Sequence, residues 1–281
     1  MMLNDRKRQY LHAMGIPLWL PRRPPASQPE PDSIILSTPP EQPKPLAVPE
    51  PGEMPATTLS SPQPDSAPNL SMSQRIEETQ AKAMDDREMR IATMDWEALN
   101  NSVRQCDACG LCTTRSQTVF GVGNRQADWL VIGEAPGADE DRLGEPFVGR
   151  AGKLLDSMLL AIGLKRKQIF ITNILKCRPP QNRDPNTIEV ECCRPFLERQ
   201  IELVQPRIIL AIGRIAAQNL LETQMPIGKL RGQVHHFGQK NILLIVTYHP
   251  AYLLRSPREK RKSWDDLRLA RRVLRQVTAT Q

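Results

Sequence analysis

From about residue 128 onward the chain alternates two apolar patterns. Unbroken apolar runs at 129–133 (WLVIG), 169–173 (IFITN), 207–213 (RIILAIG) and 242–248 (ILLIVTY) predict strands buried on both faces. Between them, helical spacing predicts helices over 151–163, 186–204, 214–221 and 257–277. Gly163 ends the first of these and Pro206 stops the second. Strands alternating with helices predict a three-layer α/β/α domain around a central four-stranded parallel sheet. In such domains the ligand crevice lies beyond the carboxyl ends of the strands. The residues just after each run are therefore where chemistry is expected.

Those residues are polar and turn-forming. Glu134-Ala135-Pro136-Gly137 follows the first run, Asn173 ends the second, and His249-Pro250 follows the fourth. A carboxylate, an amide and an imidazole thus share one rim. An amide reads a base edge with a donor and an acceptor together. An imidazole stabilises a developing anion.

The chain before residue 100 reads differently. Of 26 prolines, 16 fall between Pro17 and Pro68, and no aromatic residue stands between Trp19 and Trp96. Such a stretch buries too little apolar surface to offset its chain entropy. The expected organisation is a partner-binding peptide at 1–23, a disordered Pro-rich linker at 24–73, a helical linker at 74–99 and one folded domain at 100–281. Leu99 and Val103 are expected to pack on that domain.

Charge separates along the same boundaries. The net +7 divides into +4 over 1–23, −5 over 24–73 and +8 over 74–281. A basic folded part suits a polyanion such as nucleic acid. No apolar run approaches the ~20 residues of a membrane span, and the first residues lack the apolar core of a secretory signal. The expected location is the bacterial cytoplasm, at the nucleoid. Six cysteines there argue for metal or redox chemistry over disulfides. Cys106-x2-Cys109 has ligand spacing, with Cys112 close by. Cys177, Cys192 and Cys193 form a distant second group. Two near and two distant thiolates make a four-thiolate site, and spacing leaves zinc and iron–sulfur both open.

Four segments then occur in order: CDACGLCTTRSQTVFGVGN, GEAPGADEDRLGEPFVGRAGKLLD, ITNILKCRPPQNRDP and HPAYLLRSP. Together they resemble the family 4 uracil-DNA glycosylases, the iron–sulfur branch of the uracil-DNA glycosylase superfamily, over roughly residues 100–275. The resemblance implies the superfamily's fold and a hydrolase that flips uracil out of DNA and cleaves its N-glycosidic bond, leaving an abasic site. It implies a [4Fe–4S] cluster on Cys106, Cys109, Cys177 and Cys193, with Cys193 preferred over Cys192 because Arg194-Pro195-Phe196-Leu197 follows it. Glu134, Ala135 and Gly137 would belong to the pocket for uracil and the attacking water. Phe147 would stack on the base, Asn173 would read its edge, and Glu140 would wall off the 5-methyl side. His249 would stabilise the departing uracil at O2, and Glu134 would have a positioning or electrostatic role.

Further expectations follow for DNA and partners. Tyr252, Leu253 and Leu254 form an apolar wedge for the duplex, Arg255 meets phosphates, and the cluster presents Arg178 to DNA. Lys260–Lys262 are expected on a solvated face. No lysine but Lys176 lies in the pocket motifs, so the enzyme should be monofunctional. It is expected to act as a monomer on single- or double-stranded uracil-containing DNA. Residues 9–24 resemble the N-terminal peptide of the psi subunit of the DNA polymerase III clamp loader, which implies docking on that assembly. The alternatives are a non-catalytic DNA-binding or replication-associated iron–sulfur protein on the same fold, and a zinc-dependent nucleic-acid protein.

Overall fold

The computed structural model describes residues 86–279. The docking peptide read at 9–24 and the linker read at 24–73 lie outside the described residues. Strands β1 (Val122–Gly123), β2 (Trp129–Gly133), β3 (Phe170–Asn173), β4 (Ile208–Ile212), β5 (Val234–Phe237) and β6 (Ile242–Thr247) form one sheet in the order β1-β3-β2-β4-β6-β5. The inner four are parallel, as their unbroken apolar runs predict. The sheet nevertheless has six strands, not four, because β1 and β5 add antiparallel edges. Both were hidden for physical reasons. β1 is only two residues long, and β5 (VHHF) is a half-exposed edge strand whose polar histidines break the apolar pattern. β5 and β6 are joined by a hairpin in which Gly238 and Asn241 take positive φ.

Residues 86–92 are helical, and the helices that follow are α1 (Trp96–Arg104), α2 (Ala138–Leu143), α3 (Arg150–Ala161), α4 (Thr187–Val204), α5 (Arg214–Leu220), α6 (Ile227–Leu230), α7 (Pro250–Arg255) and α8 (Lys260–Ala279). Side chains alternate across each strand, so the sheet has two apolar faces. Leu130, Ile132, Ile209, Ala211, Leu244 and Val246 meet α4 and α5 on one face. Val131, Ile171, Leu210, Ile212 and Ile245 meet α3, α7 and α8 on the other. Residues 257–277, expected as one helix, instead begin with a 3-10 turn at Pro257–Glu259. α1 starts before residue 100, at an Asp95 N-cap, and its Leu99 and Val103 pack with Ile91 against Phe196 of α4.

Two expectations for the carboxyl-terminal part are corrected. Leu253 is 0% exposed and packs in the core beneath α7. It cannot enter a duplex as a wedge. Lys260 is buried at the start of α8 and is not on a solvated face. Tyr252 and Leu254, at 37% and 42% exposure, remain on the surface of α7.

Candidate active site

Parallel pairing in register brings Gly133 opposite Asn173 at the carboxyl ends of β2 and β3. Gly133 lies where the side chains of Asn173 and Phe147 converge. A Cβ there would stand 2.4 Å from Asn173 Oδ1 and 2.6 Å from Phe147 Cζ. The Phe147 ring lies 5.6 Å from the His249 ring between centroids, tilted by 31°. Asn173, Phe147 and His249 are thus brought together although they are far apart in the chain. Asn173 is 2% exposed, and its Oδ1 is buried without a hydrogen-bond partner. A buried acceptor left this way costs about 1–3 kcal/mol, so it is expected to meet a donor from a ligand.

Phe147 is held in place by its backbone. Its φ of 55° lies in the left-handed region, which a bulky residue adopts only under constraint. Three contacts supply that constraint. Arg166 donates to the main-chain oxygens of Pro146 and Phe147. Glu140 Oε1 accepts from the N–H groups of Val148 (3.1 Å) and Gly149 (3.4 Å), while its Oε2 accepts from Gly137 (3.1 Å). Gly152 lets α3 pass so close that a Cβ would fall 1.8 Å from the Phe147 oxygen. The Glu140 carboxylate therefore ties Gly137 to the Phe147 loop.

His249 is the N-cap of α7, and its Nδ1 accepts the Ala251 N–H at 3.1 Å. An accepting Nδ1 carries no proton, so the neutral ring bears its hydrogen on Nε2. Burial, with a smaller push from the Arg255 charge, lowers its pKa to about 4. The ring is thus a neutral donor at neutral pH. Behind it, Gly213 at the end of β4 has φ +93°, and a Cβ there would stand 3.1 Å from His249 Cβ.

Glu134 follows β2 directly. Burial raises its pKa to about 7, the Asp184 charge adds to the rise, and Arg214 opposes it. Asp184 and Arg214 form an ion pair at 2.5 Å. Asp184 comes from the loop before α4, and Arg214 opens α5. Sequence reasoning missed Gly133, Arg166, Asp184 and Arg214. Only Gly133 carried a signal, as a glycine at the end of a strand run.

The cysteines come from the segment before β1, the loop after β3 and helix α4. Arg115 Nη1 donates to Cys177 Sγ at 3.1 Å and Arg87 Nη2 to Cys106 Sγ at 3.8 Å. Cys177 feels the charges of Cys109 and Cys106, and Cys193 those of Cys177 and Cys109. Burial raises the Cys109, Cys177 and Cys193 thiols. No three His, Cys, Asp or Glu side chains among the described residues converge closely enough to hold a single metal ion. Cys109, Cys177, Cys192 and Cys193 each feel the charges of other cysteines, and Arg87 and Arg115 donate to two of the thiols, a donor set that suits an anionic group with thiolate ligands. The Cys192 thiol donates to the Ala108 oxygen at 3.1 Å; burial raises it, and it too feels the charges of Cys109 and Cys106. Arg178 is half-buried, its Nε donating to Asn182 Oδ1 at 2.8 Å, and Arg255 is exposed on α7.

A mixed sheet with four parallel inner strands, carrying an unpaired amide acceptor, an aromatic ring and a neutral histidine at its strand ends, defines an α/β protein with its site beyond the carboxyl ends of the strands. The chain belongs to the uracil DNA glycosylase superfamily, whose family model matches residues 120–268, and within it to the type-4 uracil-DNA glycosylases. It is 45% identical over 181 residues to the type-4 uracil-DNA glycosylase of Archaeoglobus fulgidus, covering 61% of this chain and 91% of that one. With the type-4 enzyme of Pyrobaculum aerophilum it shares 42% over 170 residues, 58% of this chain and 87% of the other. With that of Thermotoga maritima it shares 41% over 162 residues, 57% and 83% respectively. Among the described residues no helix is long and apolar enough to cross a membrane.

Proposed function

We propose that the protein excises uracil from DNA by hydrolysing the N-glycosidic bond of a flipped-out nucleotide, with the residues above in defined roles. The observation that carries the reading is the unpartnered Asn173 Oδ1, set across Gly133 from the Phe147 ring. Uracil offers N3–H to that oxygen and O4 to the amide NH2. Cytosine reverses both, and a site built to pair a polar edge rejects the wrong one by about 10⁴–10⁵. Phe147 stacks on the ring, a contact worth about 1–3 kcal/mol per base. Extrusion from a duplex costs a few kcal/mol. As the bond to the sugar lengthens, charge builds on the uracil ring. His249 Nε2–H meets that charge at O2, and no proton need leave the imidazole.

Glu134 faces the other product of bond breaking, an electron-poor sugar. Its carboxylate holds the attacking water and supplies a negative charge near the sugar. Cys106, Cys109, Cys177 and Cys193 would hold a [4Fe–4S] cluster that joins the 106–109 segment to the loop after β3. That group would supply structure there, and Arg178 extends from the same loop toward DNA with Tyr252, Leu254 and Arg255 on α7. In this reading the enzyme acts as a monomer. Docking of residues 9–24 on a clamp loader rests on their resemblance alone. A pull-down of clamp-loader subunits that ignores Trp19→Ala would refute it.

The test is incubation with single- and double-stranded DNA carrying one uracil, followed by alkaline cleavage. A break at the uracil is expected, and no product from either substrate sinks the reading. The same assay reads Glu134. With its pKa near 7, the carboxylate fraction grows as pH rises, so the single-turnover rate should climb through about pH 7. Glu134→Gln should be slower by about 10²-fold and lack that inflection. A wild-type profile flat across neutrality would remove Glu134 from this role.

A further inference from the structure

Lys176 is 1% exposed, yet it is not part of the pocket lining. Its Nζ donates to Thr172 Oγ1 at 2.8 Å, to the main-chain oxygen of Asn173 at 2.7 Å and to Gln200 Oε1 at 2.7 Å. Three oxygen atoms thus surround Nζ. The acceptors are themselves tied down. Gln200 Nε2 donates to the Phe120 oxygen at 2.8 Å, and Thr172 Oγ1 reaches the same oxygen at 3.0 Å. The Lys176 main-chain oxygen accepts from Val119 N–H at 2.7 Å. One side chain therefore joins the end of β3, helix α4 and the segment at 119–120.

A buried polar side chain is a poor way to gain stability, since well-packed apolar residues often serve as well or better. What this amine does that an apolar residue cannot is donate to a particular carbonyl. That carbonyl belongs to Asn173, the last residue of β3, whose side chain carries the unpaired Oδ1. We infer that Lys176 is a positioning residue for base recognition: it anchors the Asn173 main chain so that the amide stays aimed at the base. The inference rests on the reading of Asn173 given above.

A double-mutant cycle in the full-length protein tests this, with iron content matched between variants and single-turnover excision and inhibition by free uracil as readouts. Lys176→Met should slow excision by about tenfold or more and weaken uracil inhibition similarly. On an Asn173→Ala background it should change either by less than about twofold, since coupled residues are non-additive. Equal losses on both backgrounds overturn the inference, because a general loss of structure adds to any other defect. If Lys176→Met does not accumulate folded, Gln200→Met takes its place. It removes one of the three acceptors and should cost about threefold in the wild type and nothing on Asn173→Ala, with equal losses again decisive against. Asn173→Ala alone separates the two levels. Unchanged excision by that variant defeats the base-reading assignment itself, whereas slow excision with an additive Lys176 effect defeats only the anchoring.

Discussion

His249→Ala is expected to slow single-turnover uracil excision by about 10²–10³-fold, the usual loss when a preorganised donor to a developing anion is removed. The expectation rests on the state of the ring. Nδ1 is occupied by the Ala251 N–H, so Nε2 is the donor, and burial keeps the imidazole neutral down to about pH 4. A neutral donor already in position needs no proton uptake before bond breaking. No acid limb from His249 should therefore appear between about pH 5 and 8. Stability behaves differently. With a folded pKa below the unfolded value of about 6.5, the unfolded chain takes up the proton first, so this group's contribution is lost as pH falls from about 6.5 toward 4. A loss of less than about tenfold for His249→Ala would place anion stabilisation on other groups.

The second large effect concerns Cys177→Ser. It should abolish the brown iron–sulfur absorbance and lower the thermal midpoint by on the order of 10 °C, given about 2–4 °C per kcal/mol in a domain of this size. Cys177 receives the Arg115 hydrogen bond and directly follows Lys176, whose amine holds the Asn173 oxygen. Losing this ligand would thus loosen the strand end that presents Asn173 as well as the 106–109 segment. Absorbance and iron content unchanged from wild type would refute the ligand assignment. Cys192→Ser should keep both, since its thiol is engaged by the Ala108 oxygen.

Several parts of this architecture were legible in order of residues. The four inner strands are unbroken apolar runs because each is covered on both faces, and a strand in that environment has no polar side to show. The strand-end positions of Glu134, Asn173 and His249 followed from the same runs, since a parallel sheet places its carboxyl ends on one rim. The edge strands were not legible. β1 is two residues long, and β5 is half-exposed and defined by its pairing with β6. Leu253 looked like its neighbours Tyr252 and Leu254, yet helical turning directs it into the core while the other two face outward.

The sequence by itself determined which chemical groups are present and which strand end each follows, because hydrophobic period and turn residues are local properties. Only the tertiary structure decided what those groups can do. It left Asn173 Oδ1 without a partner, put Asp184 and Arg214 beside Glu134, and made His249 a neutral donor by burying it and filling Nδ1. It also turned Lys176 from an ordinary lysine beside a cysteine into the hub of a buried network. Each of these depends on burial and on contacts between segments far apart in the chain, and neither quantity is written in any local stretch of residues.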